Sequence, residues 1–519
     1  MPSSPQGRPI AIETELKLAA RSGDLPAVRR ALEAMASGPG NPFRASRARL
    51  VSTYYDTPDH ALARRGSSLR VRRKGRHFVQ TVKAAGSPAE GGLSRGEWED
   101  RVADENPDPQ APQTGPFLSP DIAAQLRPLF RTEVSRLTIP LAPEPETRIE
   151  AAIDRGQIRN GSETPEPISE VELELKSGDS TALYDVALKL LHVAPLRLER
   201  RSKAERGYRL AAHEQGPAKA VHAEALDLSG GLTGEAVLRR AGRACLDHML
   251  RNEAAALAGD VEGIHQMRVA VRRLRAVLST FAPLLPKKQR RWAAGELCGF
   301  ADALGEARNL DVFTATLLPP ARVALPLASE FDRLALAAEK RRRAARGSVI
   351  RAVSSTRYTE AVLALLRWLE CDDWCSGDTP LHQPIEIIAP ALLDRCRAKA
   401  EKRSKSFARQ SPEKRHRLRI ALKQLRYTAE LFACLYDPAE TKQFIQRLKR
   451  LQDDLGDAND VRVGHDIVAV LTAPGRRATG IAHAGRRMLD WHKRRLAKNE
   501  PNLAKHLDEM LAAKPFWQS

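Results

Sequence analysis

Two patterns of apolar and polar residues divide the chain. From about residue 10 to 210, apolar and polar positions alternate with a period of two, which predicts β-strands. From about residue 232 to the end, Ala, Leu, Arg and Glu recur at helical spacing. The polar residues between these halves include Gly and Pro and predict a linker at 212–231. We therefore expect a multidomain α+β protein with a β domain at 8–211 and an all-α domain at 232–512.

The predicted strands of the first half carry charged residues opposite their apolar ones. In Glu170–Lys176, four charged residues alternate with three aliphatic ones, and residues 12–17 and 69–72 follow the same pattern. A single strand of this kind is ordinarily part of a sheet with one face in water. Because nearly every strand mixes both signs of charge, we favour an antiparallel sheet closed around a polar lumen. Helices predicted at Leu25–Met35 and Thr181–Leu191 would cover its apolar outside.

Such a lumen suits one class of ligand. Carboxylates hold divalent metal ions, and Arg or Lys side chains bind phosphate oxygens, so a lumen with both suits metal-bound polyphosphate.

One segment interrupts the alternation: Glu105–Pro120 contains five prolines and is predicted to be a surface loop.

The helical half contains an internal repeat. Residues 264–275 resemble residues 415–426, and the histidines in them, His265 and His416, are 151 positions apart. Leu304–Ala307 recurs as Leu455–Ala458 with the same offset. Two motifs with one offset indicate a duplicated helical unit, and we expect two bundles at about 232–380 and 381–512.

Each repeat carries a basic ridge on one helix face. Positions i, i+3, i+7 and i+10 of a helix lie on the same side. The first ridge is His265, Arg268, Arg272 and Arg275, and the second is His416, Arg419, Lys423 and Arg426. A basic stripe is usually only a solvated face. Since we expect no acidic residue to relieve these like charges, an anion is their natural counterpart. The two histidines could contact the ligand, or they could act as helix caps or as members of a hydrogen-bond network.

Composition narrows the class of partner. The 519 residues carry a formal net charge of +20, which favours nucleic acid, an anionic membrane surface or a phosphate polymer. Aromatic residues make up only 5%, few for base stacking, and no nucleic-acid-binding motif is present, so specific nucleic-acid binding is not expected. No apolar run is long enough for membrane insertion and no export leader is visible, so we expect a cytoplasmic protein. Six scattered cysteines, none in a Cys-x-x-Cys pair, fit a reducing compartment and are predicted to be packing residues.

The first half resembles the CYTH domains, the triphosphate tunnel metalloenzymes. Glu13-Thr14-Glu15-Leu16-Lys17 matches their ExExK signature. The motifs that follow in order are Tyr54–Thr57, Leu69–Arg72, Lys83, Phe130–Thr132 with Arg136, Ile153-Asp154, Glu170–Lys176 and Ser202-Lys203. The resemblance implies an eight-stranded antiparallel β tunnel that hydrolyses or cyclises triphosphates with Mg²⁺ or Mn²⁺.

The same resemblance implies site residues. The expected metal ligands are Glu13, Glu15, Glu172 and Glu174, with Asp154 as an addition. The expected triphosphate-binding residues are Lys17, Arg70, Arg72, Lys83, Arg136 and Lys203. Lys176 and Arg201 could instead pair with lumen carboxylates. No general base is identifiable.

The second half resembles the CHAD domain, a helical domain marked by His, Arg and Lys positions on two related bundles. Asp260–Arg275 and Arg308–Asp311 carry this resemblance. It implies binding of long-chain inorganic polyphosphate by the two ridges, with association to polyphosphate granules. A CYTH domain followed by a CHAD domain is a familiar bacterial pairing.

Together these features predict a metal-dependent inorganic triphosphatase, a hydrolase of phosphoanhydride bonds, whose second domain binds polyphosphate. A non-catalytic polyphosphate-binding or granule-associated scaffold is the first alternative, although it has no use for Glu13 and Glu15. An adenylate cyclase, which uses the same tunnel, is the second, although no nucleobase-specific residue supports it.

Overall fold

The structure is a computed structural model that describes residues 11–37, 44–85, 94–161, 164–212, 218–228, 230–372, 374–472 and 478–518. The chain separates into two compact units. The first comprises residues up to 217 together with 355–370, and the second comprises 218–354 and 371–519. The linker predicted at 212–231 lies partly outside the described residues.

The first unit is built on a closed antiparallel sheet. Its strands are β1 (Ala11–Ala19), β2 (Ser46–Asp56), β3 (Ser67–Lys74), β4 (His77–Ala85), β5 (Ser94–Val102), β6 (Arg127–Glu144), β7 (Thr147–Arg159), β8 (Glu166–Ser177) and the two-residue β9 (Arg197–Leu198). Eight strands follow the order β5-β4-β3-β2-β6-β7-β8-β1, and β1 also pairs with β5, which closes the ring. The predicted antiparallel tunnel is confirmed.

Strand alternation separates a charged inside from an apolar outside. On β1, Leu16 and Leu18 are fully buried in an apolar cluster with the helices, whereas Glu15 and Lys17 line the lumen. The helices of this unit are α1 (Leu25–Ala36), α2 (Ala61–Arg64), α3 (Pro120–Ala123), α4 (Thr181–Leu191), α5 (Lys203–Ala211) and α13 (Thr356–Glu370). The helices predicted at 25–35 and 181–191 are therefore confirmed as α1 and α4.

Helix α13 joins the first unit from far along the chain. Leu363 is fully buried in the cluster that contains α1 and α4, and Leu366 packs against that cluster. The Arg367 guanidinium donates to both carboxylate oxygens of Asp185 on α4, at 2.5 and 3.0 Å. The first unit therefore contains a helix that lies outside the 8–211 range expected from the alternation.

The proline-rich segment is anchored and is not simply a surface loop. Its backbone N–H groups at Gln113 and Thr114 donate to the Asp100 carboxylate at 3.0 and 2.8 Å. Thr114 is fully buried, and Leu118 packs with the apolar residues of β3 and β4. The surface-loop prediction is wrong at these positions because buried polar groups of the sheet need the segment as their hydrogen-bond partner.

The regular secondary structure of the second unit consists of helices. Its helices are α6 (Gly234–Arg251), α7 (Glu253–Leu257), α8 (Val261–Thr280), α9 (Lys287–Glu296), α10 (Cys298–Val312), α11 (Leu318–Ala324), α12 (Ala328–Val353), α14 (Ile385–Ser404), α15 (Pro412–Phe432), α16 (Pro438–Leu471) and α17 (Ala478–Ala512). The two ridges lie on α8 and α15, which pack against α10 and α16 respectively. Among the described helices, none combines the length and the apolar character that a membrane span requires.

The ridge helices α8 and α15 are direct neighbours. Gln424 on α15 donates to the Ala276 carbonyl at 2.9 Å and to the Thr280 hydroxyl at 2.8 Å, and the hydroxyls of Thr280 and Thr428 are 2.8 Å apart. Apolar residues of α8 are buried in the bundle: Met267, Val271, Leu274 and Leu278. A buried polar network therefore fixes the spacing of the two ridges.

Candidate functional site

The lumen of the first unit encloses a cavity of about 240 Å³. Among the described residues, seven cationic side chains line it: Lys17, Arg70, Arg72, Lys83, Arg136, Lys176 and Lys203. Six acidic side chains within the same described part line it as well: Glu15, Glu97, Glu99, Asp154, Glu172 and Glu174. All six residues expected to bind triphosphate are in the first group, and four of the five expected metal ligands are in the second. The side chain of the fifth, Glu13, lies outside the described part of the structure.

One wall of the lumen is acidic. Asp154 on β7 and Glu170 and Glu172 on β8 have carboxylate oxygens that lie within 4.8 Å of one another. The Lys203 ammonium lies among them, 2.7 Å from Asp154, 2.5 Å from Glu170 and 2.9 Å from Glu172. Glu170 was not among the expected ligands. Its signal was the period of two in the Glu170–Lys176 run, which puts it on the same face as Glu172.

The start of α5 positions Lys203. Ser202 caps the helix, with its hydroxyl accepting from the Glu205 N–H at 3.1 Å and its own N–H donating to the Glu205 carboxylate at 2.6 Å. An added Cβ at Gly207 would lie 2.0 Å from the Phe130 ring, so only glycine lets α5 pack this closely on β6. Lys203 therefore projects from a fixed helix start into the lumen.

Neighbouring cations favour the ionised form of Glu172 in the acidic wall. Burial alone would raise the pKa of the Glu172 carboxyl, but Lys203, Lys17 and Arg136 outweigh burial and hold this pKa well below its usual value. Burial likewise opposes the charge of Lys203, and Glu172, Asp154 and Glu170 raise its pKa in spite of it. Arg136 donates to Asp154 at 2.8 and 2.7 Å and also to Glu172.

The opposite wall, on β2 and β3, is basic. The Arg72 side chain donates to the Ser52 hydroxyl at 3.0 Å, and no carboxylate among the described residues forms an ion pair with it. Burial and the neighbouring charges of Arg70 and Arg136 lower the pKa of Arg72 to about 10. Arg70 pairs with Glu97 at 3.1 Å. Arg72 is therefore a buried cation that an anionic ligand would stabilise.

Tyr54 also lies in the basic wall. Its ring stacks on Phe130 with centroids 4.6 Å apart. Burial would raise the pKa of its hydroxyl, but Arg70 and Arg72 outweigh burial and lower it. The sequence had marked Tyr54 only as part of a motif, and the signal for its position is its place opposite Arg70 on the neighbouring strand.

Two further lysines of the lumen and one arginine nearby have local partners. Lys17 lies 2.6 Å from Glu15, and Lys176 pairs with Glu174. Arg201 pairs with Glu199 at 3.2 Å and does not line the cavity. Lys176 therefore pairs with a lumen carboxylate, which is the alternative that the sequence left open for it.

The second unit has a separate concentration of cations, which we call the helical basic cluster. It consists of His265, Arg268 and Arg272 on α8, Arg308 on α10, His416, Arg419, Lys423 and Arg426 on α15, and Arg462 on α16. Burial and the charges of Arg272, Arg419 and Arg308 lower the pKa of Arg268 to about 10. Charges on α8 and α15 thus act on each other, so the two ridges face a common region.

Two ridge positions differ from expectation. Arg275 is exposed to solvent, so it is not part of the cluster. Arg426 donates to Glu430, one turn along α15, at 2.8 Å and to Gln452 at 2.9 Å. The prediction that no acidic residue relieves the ridge charges is therefore wrong at Arg426, because Glu430 was overlooked at the i+4 position.

Several atoms elsewhere in the cluster lack hydrogen-bond partners among the described residues. Four buried nitrogen atoms have no hydrogen-bond partner among the described residues: Nδ1 of His265 and Nε of Arg272, Arg419 and Arg462. Burial and the charges of Arg419, Arg272, Arg268 and Arg426 lower the pKa of Lys423 to about 6. Unsatisfied buried donors are costly. The arrangement can accept a ligand with many oxygen acceptors and negative charge.

The sequence did not place Arg308 or Arg462 in a ridge, because both lie on partner helices. The repeat offset of 151 relates position 308 to 459 and position 311 to 462, so it could have marked both positions as neighbours of a ridge. His265 has Arg308 as a charged neighbour, and at the matching positions His416 lies 2.9 Å from Asn459. Arg462 occupies the position that corresponds to Asp311 in the first repeat.

One other group of ligand-type side chains lies in the second unit. Glu235, Cys375 and His382 have potential ligand atoms within 4.8 Å of one another. The Arg239 guanidinium donates to Glu235 at 2.8 Å and to the Cys375 sulfur at 3.4 Å. A cationic side chain therefore already balances this group, and Cys375 is buried as expected for a packing residue.

Comparisons with known proteins match both halves of the chain. A CYTH domain profile matches residues 11–208, and a CHAD domain profile matches residues 240–469. An inorganic triphosphatase of Haemophilus influenzae is 35% identical over 162 residues, which are 31% of this chain and 46% of that protein. The chain thus spans about half the length of that relative.

Two solved structures are similar to part of the chain. The CHAD domain from the plant Ricinus communis is 26% identical with a TM-score of 0.50, covering 57% of this chain and 98% of that one. PptA from Streptomyces chartreusis is 16% identical with a TM-score of 0.41, covering 56% of this chain and 100% of that one.

Proposed function

Since the chain combines a CYTH domain at 11–208 with a CHAD domain at 240–469, we propose that it is a metal-dependent inorganic triphosphatase whose helical half binds inorganic polyphosphate. The observation that carries the tunnel assignment is the division of one lumen into a basic wall at Arg70 and Arg72 and an acidic wall at Asp154, Glu170 and Glu172. The 35% identity to an inorganic triphosphatase supports the same reaction.

The acidic wall fits a hard divalent cation, because its donors are carboxylate oxygens. Glu15 and Glu174 lie opposite each other on β1 and β8, and each pairs with a lysine of its own strand. Together with Glu13, Glu172 and Asp154 they would hold Mg²⁺ or Mn²⁺. A bound ion of this kind supplies charge neutralisation at phosphate oxygens and lowers the pKa of a bound water.

The charge of the lumen supports a need for such an ion. Among the described residues that line the cavity, the seven cationic and six acidic side chains nearly cancel. A triphosphate carries several negative charges, so additional cations must accompany it into the lumen. The carboxylates that pair with Lys17 and Lys176 would bind the ion and release these ammonium groups to the substrate.

The cationic side chains would bind and orient the substrate. Arg72 has guanidinium donors without a carboxylate partner, and contact with phosphate oxygens would relieve its repulsion by Arg70 and Arg136. Lys83 shares Glu97 with Arg70, at 3.2 and 3.1 Å. These groups would stabilise negative charge on the phosphoryl oxygens as the terminal phosphoanhydride bond breaks and water attacks.

An inorganic substrate is favoured over a nucleotide. Among the described residues that line the cavity, Tyr54 is the sole aromatic, and its ring is already stacked on Phe130. The adenylate cyclase alternative would need a place for a base. Product analysis with ATP tests it, and formation of a cyclic nucleotide at a rate above phosphate release from tripolyphosphate would favour the cyclase.

The test of the proposal is phosphate release from tripolyphosphate with and without Mg²⁺ or Mn²⁺. We expect release that depends on the metal ion and is lost in Arg72→Met. Equal release after chelation of the ion would contradict the metal-dependent reaction. Metal-dependent binding without turnover would favour the non-catalytic scaffold instead.

The helical basic cluster supports polyphosphate binding through its four buried nitrogen atoms without hydrogen-bond partners among the described residues. A polymer of phosphate groups presents oxygen acceptors at every unit and suits facing ridges. Competition between long-chain polyphosphate and duplex DNA at physiological salt tests this assignment. We expect polyphosphate to displace DNA, and preferential retention of DNA would contradict it.

A further inference from the structure

Lys423 has an exceptional position within the helical basic cluster. On its own helix it lies between Arg419 and Arg426, and from α8 the charges of Arg268 and Arg272 act on it. Among the described residues it forms neither a hydrogen bond nor an ion pair. Its neighbour Gln424 belongs to the network with Ala276 and Thr280 that fixes α8 against α15. The cluster therefore cannot relieve its repulsion by moving these helices apart without breaking buried hydrogen bonds.

The groups around Lys423 come from the helices packed on α15. From α8, Arg268 and Arg272 act on it. From α16, Asp460 and Arg462 act on its neighbour Arg419. On α14, the Cys396 thiol lies 3.5 Å from the Thr428 hydroxyl of α15. On α15 itself, Arg419 and Arg426 act on Lys423, Lys423 acts on His416, and Glu430 is engaged by Arg426.

We propose that the helical basic cluster takes up a proton from solvent when it binds a polyphosphate chain, and that the amine of Lys423 is the group that accepts it. The inference rests on the proposed polyphosphate binding and adds its regulation by pH. The amine gains a proton as a phosphate oxygen becomes its hydrogen-bond acceptor, and no other bond changes.

Lysine is the member of this cluster suited to the role. The arginines keep their protons at any physiological pH, so they cannot contribute. An ammonium group buried among like charges loses its proton readily. The pKa of Lys423, lowered to about 6 by burial and four arginines, fits a neutral amine at neutral pH. Burial and Arg308 lower the pKa of His265 to about 4, so this histidine stays neutral at the same pH.

The proposal predicts a direction for the effect of pH. Only the protonated amine binds a phosphate oxygen well, so affinity for polyphosphate rises as pH falls from about 8 to 6, by close to tenfold per pH unit for one proton. Below about pH 6 the free protein already holds the proton, and the dependence levels off. Long-chain polyphosphate is the suitable ligand, because its end groups, which titrate near pH 6, are few.

The experiment is calorimetric titration of the full chain with long-chain polyphosphate at pH 7.5 and constant salt, in two buffers with different ionisation enthalpies. The difference in heat measures protons taken up per site. We expect about one for the unmodified protein. In Lys423→Arg, whose side chain is permanently charged, we expect binding without this uptake, and in Lys423→Met we expect weaker binding, also without it.

The outcomes are distinguishable. Heats that do not depend on the buffer while polyphosphate binds would overturn the role of Lys423 and leave polyphosphate binding intact. Equal uptake in the unmodified protein and in Lys423→Arg would assign the proton to another group and also overturn the inference. Absence of binding in both buffers would overturn the proposed polyphosphate function itself and with it this inference.

Discussion

The tunnel and the helical basic cluster concentrate positive charge in opposite ways. In the tunnel most cations have carboxylate partners. The Lys203 ammonium, for example, lies within 3 Å of three carboxylates. In the helical basic cluster Arg268, Arg272, Arg419 and Lys423 have mostly one another as charged neighbours. The comparison indicates that a phosphate-binding site can be built in two ways. Its cations either pair with carboxylates of the protein, or they stay without such partners until the ligand supplies negative charge.

This difference has an energetic consequence. Removing one partner of a buried ion pair leaves an uncompensated charge and destabilises the fold. Removing one of several buried like charges relieves repulsion instead. Charge-removing substitutions in the two regions should therefore affect stability with opposite signs while both impair ligand binding.

The largest effect is expected at Arg136 in the tunnel. Arg136→Met should lower tripolyphosphate hydrolysis by about 10²–10³-fold, because it removes a cation from the phosphate site. It should also lower the free energy of unfolding by about 3–5 kcal/mol, because Asp154 loses its bidentate partner and Glu172 loses one donor. Steady-state kinetics and urea denaturation measure both quantities.

Arg72→Met is the matched control for this prediction. Arg72 lines the same cavity but has no carboxylate partner among the described residues. We expect a similar loss of activity with little change in stability. A stability loss as large as that of Arg136→Met would show that the two walls do not differ as described.

Charge reversal in the ridges should have the next largest effect. Arg268→Glu with Arg272→Glu, or Arg419→Glu with Lys423→Glu, should lower the affinity for long-chain polyphosphate by at least about tenfold, because carboxylates replace donors. Tripolyphosphate hydrolysis should barely change. Binding assays with both double variants are the measurement, and unaltered affinity in both would mean that the ridges are only solvated faces.

A smaller effect of opposite sign should accompany neutralisation in the cluster. Arg272→Met and Arg419→Met should each raise the free energy of unfolding in the absence of polyanion by about 1 kcal/mol, because each removes a buried donor without acceptor and a repelling charge. Thermal or urea unfolding at low salt measures this. Destabilisation by either variant, with Arg275→Met as the exposed control, would contradict the comparison.

Much of the tunnel was predictable, because strand alternation is a local property. The period of two assigns Glu15 and Lys17 to one face of β1, and it assigns Glu170, Glu172 and Glu174 to one face of β8. The position of Tyr54 beside Arg70 depends on strand register, which the sequence does not specify alone. The pairing of Lys203 with three carboxylates depends on how α5 packs through Gly207.

The helical site was predictable only in part, because each ridge is local and their approach is not. The spacing of Arg268 and Arg272 identifies a ridge from one helix. That Arg419 faces it depends on the buried contact of Gln424 with Thr280, two residues 144 positions apart. The exposure of Arg275 depends on the same packing, whereas the pairing of Arg426 with Glu430 is an i,i+4 contact within α15 that could be predicted from the sequence.

Helix α13 has a consequence for dividing the chain. A fragment that ends at residue 217 lacks Leu363 and Arg367 and leaves the apolar surface of α4 open. Burial of a leucine side chain contributes about 1.5–3 kcal/mol, so this fragment should be less stable and more prone to aggregate than one with residues 355–370 attached through a flexible linker. Equal unfolding midpoints for the two fragments would show that α13 adds nothing to the tunnel.

The same helix bears on how such a protein can be recombined. Exchanging everything beyond residue 217 for the corresponding part of a relative would replace α13 as well. The tunnel would then receive a helix that evolved to pack on the α4 of another protein. Compatibility at Leu363 and at the pair of Arg367 with Asp185 would then limit which second halves can be fused to which first halves. The tunnel domain and α13 lie far apart in the sequence, but we expect their contacting residues to change together during evolution.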